Sequence, residues 1–155
     1  MQFHDEANRL IEKFREFEAK NDWQGLSGAC KEAQAKQTAP DNQISAICHT
    51  FQALAHLNLG QLEAAVQHIN EAKRLTPAWG LPFRLHGNIF LNAGDPNQAL
   101  SELNEAHNRE PDDIVTLLHR STTHQIMGDL KNAYEDALQA TEIQPTLSHQ
   151  KNPPE

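Results

Sequence analysis

Three short phrases in this chain repeat at a fixed interval. Gly60–Ala65, Gly94–Ala99 and Gly128–Ala133 each begin with Gly and carry Ala five residues later, and each starts 34 residues after the one before. The same step relates three more alanines and three prolines, at Ala72, Ala106, Ala140, Pro77, Pro111 and Pro145. Self-similarity with a period of this size indicates a stack of small units, each of which contacts its neighbours.

The geometry of one unit follows from these residue types. A Gly just past the end of a helix supplies the positive φ that a sharp reversal needs. The Ala five residues later lets the second helix lie close to the first. The Pro then prevents that second helix from continuing. Each unit is therefore predicted to be two antiparallel helices.

A period of 34 residues with Gly, Ala and Pro at these places resembles the tetratricopeptide repeat. The best match runs from residue 80 to residue 113, where Phe83, Gly87 and Phe90 occupy the bulky, Gly and aromatic positions. The resemblance implies an all-α, right-handed solenoid of antiparallel helix pairs, with about four repeats of which the first is degenerate.

The register predicts a repeat domain over residues 1–145 and a polar, Pro-rich, disordered tail over residues 146–155. The four units are predicted at residues 3–38, 42–79, 80–113 and 114–145. Their helices are expected near residues 3–20, 22–37, 42–59, 62–75, 80–93, 96–109, 114–127 and 130–143.

Composition excludes several classes of protein. A formal net charge of −8 argues against a nucleic-acid-binding surface, which needs a basic stripe. Residues 42–62 contain no Asp, Glu, Lys or Arg, but their Asn, Gln and His residues argue against membrane insertion. Two cysteines and an N-terminus without a signal pattern favour a reduced, cytoplasmic protein.

Motifs that carry chemistry are missing from the sequence. It contains no phosphate-binding Gly loop, no G-x-S-x-G, no H-E-x-x-H and no C-x-x-C. Nine histidines are many for this length, and His56, His86 and His124 could approach one another if they faced a shared interior. Metal binding needs convergent ligands with a second shell, so half-buried packing is the favoured interpretation. We therefore predict a protein that is not an enzyme and uses no cofactor and no metal.

The resemblance also implies a binding site, because tetratricopeptide proteins hold a partner's peptide or helix against the first helix of each repeat. The groove residues implied here are Ile47, Thr50, Phe51, Leu54, Leu81, Arg84, Leu85, Asn88, Leu91, Val115, Leu118, His119 and Thr122. The degenerate first repeat would add Asn8, Ile11 and Arg15, and the last would add Ile126. Asn88 matches the asparagine that holds a ligand's main chain in such proteins.

One class of ligand is unexpected for this groove. Co-chaperones that bind acidic C-terminal peptides present Lys, Asn and Arg at set groove positions. The matching residues here are Thr50, Leu54, Leu85, Val115 and His119, or, one unit earlier, Ile11, Arg15, Phe51, Leu81 and Leu85. Neither set forms a clamp for two carboxylates.

The leading interpretation is a scaffold or adaptor that binds a partner peptide or helix in an apolar concave groove. One alternative is an N-terminal regulatory or targeting module of a larger enzyme, such as a glycosyl- or sulfotransferase. Another is a small, client-specific, secretion-type chaperone. The sequence does not identify the partner.

The last unit differs from the inner ones on its second helix. Leu138 stands where the inner units carry Asn70 and Asn104, and it continues a stripe with Tyr134. A repeat stack normally ends in a polar capping helix. The face around Tyr134, Leu138 and Ile143 is therefore predicted to be covered by a second copy of the chain, giving a homodimer, or by sequence beyond Glu155.

Overall fold

The chain is described by a computed structural model that covers residues 1–151, with side chains described as far as Gln144. This part of the chain is all-α and contains no strand. Its helices are α1 Asp5–Ala19, α2 Trp23–Ala35, α3 Asn42–Asn58, α4 Leu62–Leu75, α5 Leu81–Asn92, α6 Pro96–Arg109, α7 Ile114–Ile126 and α8 Leu130–Lys151. The predicted class, a helical-hairpin solenoid of about four repeats, is confirmed.

The repeated glycines close the hairpins as predicted. Gly60, Gly94 and Gly128 have φ values of 76°, 79° and 81°. In each turn the N–H of the next residue donates to the carbonyl five residues earlier, at 2.8 Å from Gln61 to His56 and at 2.9 Å from Asp95 to Phe90. This is the Schellman arrangement, which satisfies carbonyls left open at the end of a helix.

The degenerate first repeat uses the same turn without Gly. Asn21 takes its place with a φ of 54°, and the Asp22 N–H donates to the Phe17 carbonyl at 3.0 Å. Asn tolerates the left-handed conformation better than most side chains. The Asp22 carboxylate then accepts a hydrogen bond from the Gly25 N–H at 2.9 Å and so caps α2.

The repeated alanines lie where the two helices of a hairpin meet. Ala65 and Ala99 are completely buried, and Ala133 is almost so. Gly87 on α5 contributes to the same close packing, since a Cβ atom placed there would lie 2.7 Å from Cγ of Leu103 on α6. The small residues therefore set the distance between the paired helices.

The chain divides into two compact units, Met1–Leu85 and His86–Glu155. In the first unit α1 packs on both α2 and α3, and α3 packs on α4. In the second unit α6 packs on α7, and α7 packs on α8. The division lies inside α5, within the predicted repeat 80–113, and the predicted repeat boundaries stay a prediction.

The last helix differs from the sequence prediction. Pro77 and Pro111 follow the ends of α4 and α6 as expected, but α8 continues past Pro145 to Lys151. A proline inside a helix removes one backbone hydrogen bond and favours a kink, which does not by itself end the helix. Residues 152–155 of the predicted tail lie outside the described residues.

The contact at Gly87 is testable against a glycine that has room. Gly87→Ala should lower the free energy of unfolding by about 1–3 kcal/mol, because its Cβ would press on the buried Leu103. Gly28→Ala is the control, since an added Cβ meets nothing within 4 Å there. It should stabilise the helix by about 0.5–1 kcal/mol. Urea unfolding of both variants measures the two effects, and equal stabilisation by both would contradict the close approach of α5 and α6.

Candidate functional site

The groove residues predicted on α3 are core residues in the structure. Ile47, Thr50 and Phe51 are completely buried. The Phe14 ring of α1 packs against the Phe51 ring at 5.4 Å, and the Arg15 guanidinium lies 5.2 Å from the same ring. These three side chains cannot contact a partner while α1 is in place, so their assignment to an open groove is corrected.

The predicted groove residues on α5 are also largely covered. Leu81 and Leu85 are buried, which assigns them to the core as well. Arg84, Asn88 and Leu91 are half-buried, as is Leu54 on α3. Of the groove residues predicted over the first three repeats, only Asn8 and Arg15 on α1 are exposed.

On α7, several of the residues predicted to line the groove lie on an exposed apolar surface. The α7 surface consists of Val115, Leu118, Thr122 and Ile126, all exposed and spaced by three and four residues so that they share one helix face. The exposed fractions of Val115, Leu118 and Ile126 are 39%, 48% and 59%. His119 beside them is half-buried.

The opposite face of α7 holds the helix against α8. The Ser121 hydroxyl donates to the Ala133 carbonyl at 2.7 Å. The Arg120 guanidinium forms a two-pronged ion pair with the buried Asp136 carboxylate, with N–O distances of 2.7 and 2.6 Å. Bidentate pairs of this kind fix orientation. The exposed face of α7 thus points away from α8.

A second apolar surface lies on α8. The α8 surface consists of Leu130, Tyr134 and Leu138, with exposed fractions of 69%, 67% and 43%. Ile143, predicted with them, is half-buried. The sequence interpretation missed Leu130, although it stands four residues before Tyr134 and so shares its face. It also missed Met127, which is exposed in the turn between α7 and α8.

The two units differ sharply in charge. Residues 86–155 contain eleven Asp and Glu against four Lys and Arg, a net charge of −7. Residues 1–85 contain ten against nine, a net charge of −1. In the second unit Arg109 and Arg120 already pair with Glu105 and Asp136. The α7 surface and the α8 surface both lie in this acidic unit.

The first unit contains a small cleft whose lining mixes basic and acidic side chains. It has a volume of about 300 Å³ and lies between α1, α2 and the start of α3. Its charged lining carries both signs and has a net charge of +1, with Arg9, Lys13 and Lys36 beside Glu6 and Glu32. Such a lining does not favour a ligand of either sign.

Three histidines of the first unit cluster between α3 and α4. The His49 and His68 rings approach with their Nδ1 atoms 2.8 Å apart, and the His56 ring stacks on His68 at 5.3 Å. Burial, followed by repulsion from His49 and His56, lowers the pKa of His68 to about 4. Burial also lowers the pKa of His49. His49 and His68 are therefore neutral at neutral pH.

The clustering differs from the sequence expectation. His56 contacts His68, whereas Nδ1 of His86 lies 3.6 Å from a Glu102 carboxylate oxygen and Nδ1 of His124 lies 3.7 Å from an Asp129 carboxylate oxygen. Within the described residues, no group of three or more His, Cys, Asp or Glu side chains is arranged to hold a metal ion. None of the described helices has the length and apolar character needed to cross a membrane.

Known proteins support the architecture. The tetratricopeptide-repeat family model matches residues 48–78. The solved structure of MamA aligns with a TM-score of 0.68 at 13% identity, over 92% of this chain and 80% of that chain. MamA 41-end from Desulfovibrio magneticus RS-1 aligns with a TM-score of 0.65 at 13% identity, over 90% of this chain and 76% of that chain.

A further solved structure holds a peptide. The second tetratricopeptide domain of Spaghetti (RPAP3), bound to the HSP90 peptide SRMEEVD, aligns with a TM-score of 0.61 at 17% identity. The alignment covers 73% of this chain and 98% of that one. At identities this low, the structural alignments establish the fold alone. The helical hairpins, the positive-φ turns between their helices and these matches confirm that the chain has the tetratricopeptide-repeat fold.

The histidine cluster predicts how stability depends on pH. Because the pKa of His68 lies below 6.5 in the folded state, the unfolded chain binds more protons as the pH falls from about 6.5 to about 4. The free energy of unfolding should be constant above this window and decrease through it. Chemical unfolding at a series of pH values should show a smaller decrease for His68→Gln than for the wild type, since carboxylate titrations are common to both. Equal decreases would show that His68 does not contribute.

Proposed function

We propose that the chain is a non-enzymatic protein-interaction scaffold that binds a partner segment on the α7 surface. The observation that carries the proposal is the exposure of Leu118 and Ile126 on a face that α7's buried contacts turn toward solvent. Contiguous apolar patches on soluble proteins usually mark binding sites. Burying each such side chain contributes about 1.5–3 kcal/mol to association.

The spacing of the α7 surface suits an elongated partner. Val115 and Ile126 are eleven residues apart, which corresponds to about 16 Å along a helix axis. A short extended peptide or two to three turns of a helix would cover this length. The Spaghetti (RPAP3) domain holding a peptide supports this mode of binding by analogy of fold.

Charge restricts the chemistry of the partner. The α7 surface belongs to the unit with a net charge of −7, which attracts basic segments and repels acidic ones. Val115 and His119 stand at the α7 positions where a carboxylate clamp would need basic or amide side chains. The chain therefore differs in ligand from proteins that take acidic C-termini.

The wider roles proposed from the sequence also use an exposed apolar surface. A module of a larger enzyme and a secretion-type chaperone would each bind protein in this way. Cys30 and Cys48 are buried free thiols, which supports a reducing, cytoplasmic setting. The interaction role is common to all of these settings, so it is the role we propose.

Leu118→Glu should remove partner binding and leave the fold intact. The matched control is Leu62→Glu, because Leu62 is similarly exposed, at 52%, but lies in the first unit. A photo-crosslinking residue at Thr122 would be irradiated in an extract of the source cells, and the products identified by mass spectrometry. Crosslinks should persist with Leu62→Glu and be lost with Leu118→Glu, while circular dichroism is unchanged for both. Loss in both variants, or in neither, would argue against the α7 surface.

Acidic C-terminal peptides should bind poorly. The peptide SRMEEVD, found in the Spaghetti (RPAP3) structure, contains two Glu and one Asp. Because the clamp residues are missing and the second unit is acidic, we expect no saturable binding below about 100 µM in calorimetric titration. A dissociation constant in the low micromolar range would contradict the charge argument.

A further inference from the structure

The α8 surface is oriented by the same contacts that hold α7. Ala133, Asp136 and Ala140 are buried on one side of α8, against α7. At about 100° per residue, Leu130, Tyr134 and Leu138 lie together on a different side. Glu135 and Glu142 lie along the edge of that stripe, with Lys131 near them, and all three are exposed. The α8 surface is therefore an apolar strip with two Glu and one Lys along one edge.

The equivalent face of α6 indicates what kind of element fits there. One repeat earlier, Pro96, Leu100 and Asn104 occupy the positions of Leu130, Tyr134 and Leu138. α7 packs against α6 in the second unit, and Leu100 is only half-exposed. α8 is the last helix of the part of the chain that the structure describes, and its corresponding face is larger and more apolar. By analogy with the packing of α7 on α6, a helix is the element that fits this face of α8.

We propose that the α8 surface binds an amphipathic helix of another protein, one that carries Lys and Arg beside its apolar stripe. Apolar residues at three- and four-residue steps would meet Leu130, Tyr134 and Leu138, as in other helix-in-groove complexes. Basic side chains flanking that stripe would face Glu135 and Glu142. The net charge of −7 on the unit would speed the encounter.

Charge also decides against a second copy as the occupant. A symmetric dimer through α8 would bring two units of −7 together. Packed helices lie about 8–10 Å apart, which is close to the screening length of about 8 Å at physiological ionic strength, so like charges beside such an interface would repel each other. A basic partner reverses the sign of this interaction. The α8 surface and the α7 surface have no residue in common.

The test uses two designed helical peptides that differ only in charge. Both place Leu at positions matching an i, i+4, i+8 stripe, one with Lys and the other with Glu on either side. In fluorescence anisotropy at physiological salt, the Lys peptide should bind at least about tenfold more tightly than the Glu peptide. Leu138→Glu should weaken its binding by at least about tenfold, and Glu135→Gln with Glu142→Gln should weaken it several-fold.

Leu118→Glu is the control that separates the two surfaces. Binding of the Lys peptide should be unchanged in this variant, and thermal unfolding should show that all variants remain folded. Loss of binding with Leu118→Glu but not with Leu138→Glu would overturn the α8 assignment while leaving the proposed function intact. Equal binding of the two peptides, or binding of neither, would overturn it too. So would a wild-type dimer in sedimentation that Leu138→Glu dissociates.

Discussion

The fold depends on one backbone conformation that recurs at the middle of each hairpin. Asn21, Gly60, Gly94 and Gly128 all adopt positive φ, and each ends one helix so that the next can fold back on it. In three of the four turns the following residue is Asp, whose carboxylate caps the second helix: Asp22 to Gly25, Asp95 to Gln98 and Asp129 to Asn132. Two adjacent residues thus end one helix and begin the next.

That local character explains why the helices could be predicted from sequence. The signals at Gly94 and Asp95 act within a few residues, so no knowledge of tertiary contacts is needed to interpret them. The Ala positions could be predicted as well, because a small residue at a fixed distance from the turn has a single geometric use. Pro145 was misinterpreted because a proline weakens a helix by one hydrogen bond and its surroundings determine whether the helix continues.

The candidate site was predicted less well, because burial on α3 is decided by a distant element. Phe51 is apolar whether it lines a groove or lies beneath α1, and only the packing of Phe14 against it shows which is true. Thr50 was misleading for a different reason. Its hydroxyl donates to the Ala46 carbonyl at 2.7 Å, so a polar side chain is satisfied inside the core without a partner surface. On α7, by contrast, the exposed residues Leu118 and Ile126 lie among the predicted groove positions.

The acidity of the second unit and its exposed apolar side chains belong together. Leucine and tyrosine side chains left in water promote association among identical copies, and a net charge of −7 opposes it. The same charge does not oppose a basic partner, so it discriminates between unwanted and productive contacts. The positive charge of Arg120 does not offset the negative charge at the surface, because its guanidinium pairs with the buried Asp136 carboxylate. Apolar surface can therefore remain exposed in this unit because the surrounding charge limits what can cover it.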